Sequence, residues 1–454
     1  MKVSLRMMVS PRHPTIVGKA LIVVIWILMS LAQITVLVSA EGTNLDSHRT
    51  STRMERGSCS TIATRSSSSN QRRNTNSNNN ILPDVTGAIG KTPLVDLSRV
   101  ARHYGIDPSI DGRILGKLEY LSPGGSKKDR IALSILEQAR KDGTLLPGQT
   151  VVELTSGNTG TGLAIVCGVW GHPFVAVMSK GNSKERSRMM EALGARVVLV
   201  DQADIYSTEG RGVSGADLDL VEQAASEITE SLGAFRADQF VKEANALAHY
   251  EGTGPELWSD SGDTITDFLD FVGTGGSFGG IASYLKEQSG GNVRCYIVEP
   301  ENAAVLLETA PTFNTNEQTA TSTTATTRDS VAAVSSSGCR HRIQGGGYMK
   351  SRDELPLIAP LSSTYSDENA DENENNVNPL IDGYLTVTDE EAIRATRDLA
   401  KHEGIFAGYS AGANLVAAIK LLQQRRNHQR SQPDTVAILI CDSGLKYMST
   451  DLWE

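Results

Sequence analysis

From Ile81 onward the chain alternates short β-like apolar runs with stretches of helical pattern, and this alternation constrains its fold more than any other feature. Residues 114–118, 151–154, 174–178 and 196–200 read as strands, and 131–139, 160–170 and 184–193 as helices between them. The pattern returns with strands at 268–272, 293–298 and 435–440 and helices ending at Lys286 and spanning 390–402. Near-continuous apolar strands bracketed by helices imply parallel sheets covered on both faces. Two open α/β domains within residues 81–454 are the simplest count, and such sheets bind ligands at the C-terminal ends of their strands.

Three motifs stand at such positions. Lys128 lies in Pro123-Gly124-Gly125-Ser126-Lys127-Lys128-Asp129-Arg130. Thr155-Ser156-Gly157-Asn158-Thr159-Gly160 directly follows the run Val151-Val152-Glu153-Leu154. Gly273-Thr274-Gly275-Gly276-Ser277 follows the apolar run 268–272. One amine with two strand-end loops rich in Gly, Ser and Thr suits a phosphate-bearing cofactor held covalently through lysine, and pyridoxal 5'-phosphate is the natural candidate. Backbone N–H groups at a turn entering a helix favour a phosphate.

The three motifs resemble those of the fold-type-II pyridoxal-phosphate enzymes, in particular the cysteine synthase and cystathionine β-synthase group, whose pattern is roughly PGGSxKDR, TSGNTG and GTGGT. Further matches follow in order: Ile89-Gly90-Lys91-Thr92-Pro93-Leu94, Gly252-Thr253-Gly254-Pro255-Glu256, Gln344-Gly345-Gly346-Gly347, Gly408-Tyr409-Ser410-Ala411-Gly412 and Cys441-Asp442-Ser443-Gly444. The resemblance implies a tryptophan synthase β-like architecture, two three-layer αβα domains with the cofactor in the cleft between them. It implies Lys128 as the cofactor's covalent partner, with Lys127 at the variable position pointing elsewhere. Gly273, Thr274, Gly275, Gly276 and Ser277 are expected at the phosphate, Asn158 at the ring oxygen and Ser410 at the pyridine nitrogen. Thr155, Ser156, Asn158, Thr159 and Gln239 are expected at the substrate carboxylate.

The implied activity is cysteine synthase-like β-replacement on O-acetylserine with sulfide, giving L-cysteine. Cystathionine β-synthase, β-cyanoalanine synthase and a Ser/Cys β-lyase are alternatives on the same fold. A catalytically silent, membrane-tethered binding protein is the alternative of another class. A neutral Ser410 hydroxyl makes the cofactor a weaker electron sink, which suits loss of a β-substituent over transamination. A homodimer is also implied by the resemblance.

Charge is uneven along the chain. Residues 1–80 carry +7, leaving −17 for the rest of a net −10. An acidic body gives no electrostatic footprint for nucleic acid. The five cysteines are scattered, without zinc spacing or a disulfide framework, and no metal is expected. Residues 20–40 are uncharged and follow Lys2, Arg6, Arg12 and Lys19. At about 1.5 Å per residue they would span a ~30 Å hydrocarbon core. The segment, within residues 1–40, is therefore expected to insert in a membrane, as an anchor or as a signal peptide cleaved after Val38-Ser39-Ala40. Either places the protein in a membrane or on the secretory route. The Ser-, Asn- and Arg-rich stretch 41–80 reads as a disordered linker, or as the second part of a two-part leader to an organelle. Low-complexity insertions are expected at about 309–338 and 362–378.

Overall fold

Successive side chains of a strand face opposite ways, and this splits the apolar core into four clusters, two on each of two sheets. The structure is a computed structural model that describes residues 81–203, 215–310, 341–348, 350–361, 378–426 and 432–454. Its strands are β1 (Leu94–Asp96), β2 (Gly112–Lys117), β3 (Val151–Leu154), β4 (Phe174–Ser179), β5 (Arg196–Val200), β6 (Phe235–Arg236), β7 (Asp267–Phe271), β8 (Arg294–Pro300), β9 (Gly383–Val387) and β10 (Asp434–Leu439). Its longer helices are α1 (Lys128–Lys141), α2 (Asn158–Trp170), α3 (Lys184–Ala192), α4 (Gly215–Leu232), α5 (Gly276–Ser289), α6 (Asp389–Glu403) and α7 (Tyr409–Arg425).

One sheet has the order β5-β4-β3-β6 and is parallel throughout. Val151, Phe174, Ala176 and Met178 point to the face covered by Ile131, Ile135 and Leu136 of α1 and Leu163 and Val166 of α2. Val152, Leu154, Val175 and Val177 point the other way, onto Val221 and Ala225 of α4. The second sheet runs β1-β2-β10-β7-β8-β9, parallel except for the edge pair β1–β2. Val436 and Ile438 of β10 face Leu399 of α6 and Leu415 of α7, whereas Ala437 and Leu439 face Phe278 and Ile281 of α5. Burying each such Val, Leu or Ile contributes about 1.5–3 kcal/mol relative to exposure.

The expected strands fall within a residue or two of the observed ones, but their partnership does not follow chain order. The strand expected at 114–118 precedes 151–154 in sequence, yet β2 pairs with β10, more than 300 residues away, rather than with β3. The edge strands β1, β6 and β9 complete the two sheets and α4 covers one face, and none of these four is among the expected elements. Residues 1–80, and the expected insertions apart from their end residues 309, 310 and 378, lie outside the described residues.

Candidate active site

The site forms where β3, β7 and β10 end. After β3 the chain turns through Thr155–Gly157 into α2. Thr155 sets this turn from inside, its Oγ1 accepting the N–H groups of Gly157 and Gly160 at 2.9 Å. At Gly162 a Cβ would press on Ala132 Cβ, Asp129 Cα and the Lys128 carbonyl at 3.0–3.1 Å, so the missing side chain lets α2 lie close against the start of α1. Asp129 accepts the N–H of Gly124, and Lys127 N–H donates to the Cys441 carbonyl beyond β10. The first bond closes the lysine-bearing loop on itself, and the second ties it to the end of β10.

After β7, residues 273–277 turn into α5, with Gly275 in the left-handed region at φ +86°. A Cβ at Gly276 would lie 2.1 Å from Asn245 Oδ1, and one at Gly273 2.8 Å from the Gly345 carbonyl. Asn245 also donates to Thr274 Oγ1 at 3.0 Å. The loop is thus a shallow backbone cradle, open at the first N–H groups of a fourteen-residue helix.

Lys127, Lys128, Ser156, Asn158, Thr159, Gln239, Phe271, Thr274, Gly345, Tyr348, Ser410 and Cys441 line one cavity. The structure therefore brings Lys128, Ser156, Asn158, Thr159, Gln239, Thr274 and Ser410 together, as the motifs lead one to expect. Thr155 does not line this cavity but acts as the turn's internal cap. Gly273, Gly275 and Gly276 contribute backbone to the cradle. Ser277 is buried with its hydroxyl already engaged.

Several lining groups are fixed by bonds to one another. Thr159 Oγ1 donates to Gln239 Oε1, and Gln239 Nε2 to the Leu154 carbonyl. Glu153 accepts the N–H groups of Asp238 and Gln239, which holds Gln239 in place; burial pushes the Glu153 carboxyl up to about 7. Ser156 Oγ lies 3.1 Å from Tyr348 Oη. Asn158 donates to Asp442 at 2.7 Å and accepts from Lys446 at 2.8 Å. Burial pulls Lys446 down to about 8. Cys441, beside Ser410, is held as a thiol by burial, its pKa pushed up to about 11.

The two adjacent lysines differ sharply. Burial and the neighbouring Lys127 charge bring Lys128 down to about 8, so a useful fraction is unprotonated near neutrality. Lys127 turns into the same cavity, contrary to the expectation that it points elsewhere. Its Nζ donates to both Asp270 oxygens and to Ser277 Oγ, each at 2.9 Å. Burial lowers its pKa most, but Asp270 together with Cys441 and Glu119 outweighs burial and holds the pKa above the ordinary lysine value. Asp270, Tyr348 and Asn245 were not recognised from sequence as site residues. Only Asp270 left a signal there: an acid inside the apolar run 268–272 requires a cation or strong donors once buried.

A low-pKa amine lining the cavity, an open helix N-terminus with a glycine cradle, and hydroxyls around them fit a cofactor that carries an aldehyde and a phosphate. Comparisons with known proteins agree. A family model described as pyridoxal-phosphate dependent enzyme matches residues 85–442. Cysteine synthase 1 of Neurospora crassa is 31% identical over 367 residues, covering 81% of this chain and 82% of that protein. Cysteine synthase of Staphylococcus aureus is 32% identical, covering 82% and 96% respectively. The crystal structure of cysteine synthase (OASS) from Entamoeba histolytica aligns with a TM-score of 0.63 at 30% identity, covering 86% of this chain and 94% of that one. The O-acetylserine-dependent cystathionine β-synthase of Helicobacter pylori aligns with a TM-score of 0.62 at 28% identity, covering 82% and 99%.

These relatives also correct the reading of residues 20–40 as a segment that puts the protein in a membrane or on the secretory route. The similarity is to cysteine synthases, matched over 82% and 96% of their own lengths. The apolar faces of the described helices are spent on the two sheets, and among the described residues no helix is long and apolar enough to cross a membrane. Residues 20–40 themselves lie outside the described residues.

Proposed function

The chain belongs to the pyridoxal-phosphate-dependent enzymes, and from that premise we propose that Lys128 is the residue through which it carries its cofactor and moves the substrate's proton. The protein is a cysteine synthase-like enzyme of β-replacement, acting on an amino-acid substrate with O-acetylserine and sulfide as the pair that yields L-cysteine. The observation that carries the residue assignment is the contrast between neighbours, with Lys128 in no ion pair among the described residues and down at about 8 while Lys127 is tied to Asp270.

Pyridoxal phosphate, when bound, supplies the electron sink that lets an amino acid lose its α-proton and then its β-substituent. The cradle at 273–277 would hold the phosphate, with the N-terminus of α5 favouring the negative charge. Lys128, unprotonated at the pH of the reaction, accepts the α-proton and later returns it. Ser156, Asn158, Thr159 and Gln239 surround the place for the substrate carboxylate, and bonds to Tyr348, to Asp442, between Thr159 and Gln239, and to the Leu154 carbonyl hold them in position before substrate arrives. Ser410 offers the ring nitrogen a neutral partner. The two lobes of residues 81–454, each built on one sheet, and a homodimeric assembly belong to the same reading.

The similarity to an O-acetylserine-dependent cystathionine β-synthase makes homocysteine the competing acceptor. A panel crossing O-acetylserine or serine with sulfide, cyanide and homocysteine tests the choice. O-acetylserine with sulfide should give the highest kcat/KM, since Gly252–Glu256 resembles the synthase form of its motif. A higher value for serine with homocysteine would move the protein to the second reading.

A further inference from the structure

Lys127 lines the cavity, and its effect on the Lys128 amine does not account for the bonds it makes to Asp270 and Ser277. Lys127 is 5% exposed, Asp270 is fully buried and Ser277 is 6% exposed. Lys127 donates to both carboxylate oxygens of Asp270 and to Ser277 Oγ, while Ser277 itself donates to Asp270. The three groups form a closed set below the first turn of α5, directly under the glycine cradle. A solvated surface lysine could serve the loop only weakly. A desolvated, hydrogen-bonded ammonium acts at close range through a poorly screening medium.

We propose that Lys127 is a phosphate-side cation of this site, oriented by Asp270 and coupled to the cradle through Ser277, so that its buried charge favours the phosphate alongside the backbone N–H groups. The proposal rests on the reading that residues 273–277 hold the cofactor's phosphate. Charge decides what each partner then does. Without Lys127, the buried Asp270 carboxylate faces the phosphate unneutralised and repels it. Without Asp270, the ammonium loses its closest counter-charge, with Glu119 remaining further off, and its attraction for the phosphate grows. An ion pair that served packing alone would show no such opposition, since losing either partner strands the other. Ser277 is the coupling element, because its hydroxyl can turn from Asp270 to the phosphate while still accepting from Lys127.

The test is equilibrium binding of pyridoxal 5'-phosphate and of pyridoxal, which lacks the phosphate, to the cofactor-free protein. Both compounds need Lys128, so the ratio of their dissociation constants cancels any effect on that residue and reads the phosphate end alone. Lys127→Met should reduce the preference for the phosphorylated compound by about tenfold or more, because the buried positive charge near the phosphate is lost. Asp270→Asn should keep or increase it. The double variant Lys127→Val with Asp270→Ala replaces the pair by apolar groups and so avoids a stranded charge; it too should lose about tenfold in preference. A double variant with the wild-type ratio would overturn the proposal, as would Asp270→Asn losing as much as Lys127→Met. If the wild type itself shows no preference for the phosphorylated compound, the loop assignment fails first, and the proposal with it.

Discussion

Arg130 and Glu256, 126 residues apart, are joined by two hydrogen bonds of 2.8 and 2.7 Å. The same guanidinium holds both oxygens of the fully buried Glu119, and Glu256 also meets Lys117 at 3.0 Å. Thr92 completes the cluster through Glu119. Three of the motifs that carry the family resemblance, around Thr92, Arg130 and Glu256, therefore meet away from the chemistry, where they lock the lysine-bearing loop to the helix Gly254–Asp260. Arg130 acts by placing Lys128, two residues before it, and touches neither phosphate cradle nor carboxylate loop.

Replacing Arg130 by Met should therefore act first on stability. It leaves Glu119 buried without its charge partner, and breaking a buried pair of this kind costs about 3–5 kcal/mol. Arg130→Lys should recover little, because one ammonium cannot bond both carboxylates bidentately. Denaturant midpoints measure this, and a wild-type midpoint for Arg130→Lys would refute the account.

Borohydride reduction of the cofactor-loaded enzyme, followed by peptide mass mapping, should find the cofactor on Lys128 and not on Lys127. Lys128→Ala should abolish turnover and covalent retention. Label on Lys127 would reverse the assignment of the two neighbours.

Uptake of pyridoxal phosphate by the cofactor-free protein should quicken as pH rises through about 8 and level off above it, because the amine must be unprotonated to react. Burial and Lys127 depress the Lys128 pKa, against the weaker opposing pull of Asp270, Cys441 and Asp442. The linkage has a definite sign. Between about 8 and ~10.4 the unfolded chain binds the extra proton, so Lys128 makes the folded state gain stability with rising pH in that window. Lys127→Met should move the uptake midpoint upward, and an unchanged midpoint would show that the neighbouring charge is not felt.

Gly276→Ala should weaken pyridoxal phosphate binding and lower the melting temperature together. The added methyl would sit 2.1 Å from Asn245 Oδ1, which also anchors Thr274. Overpacking of this kind costs typically about 1–3 kcal/mol. Titration of the apo-variant with cofactor and a thermal melt of the same sample check it, and wild-type behaviour in both would mean that the cradle yields more easily than its geometry suggests.

Sequence by itself determined the α/β class, the approximate bounds of most strands, and the three loops that build the cavity. The reason is local: a strand buried on both faces must be apolar along its length, and a turn that meets a phosphate must spare side chains, so both leave a mark in a few consecutive residues. The tertiary structure alone decided that β2 pairs with β10 rather than β3, because a buried strand's composition does not name its neighbour. It alone turned Lys127 inward, where Asp270, 143 residues later in the chain, repays the desolvation of its charge. It also set the Thr155 hydroxyl on the N–H groups of Gly157 and Gly160, since a Thr side chain satisfies nearby backbone donors as readily as a ligand. Ion pairs and caps of this kind depend on which distant groups folding brings within about 3 Å, and no short window of sequence records that distance.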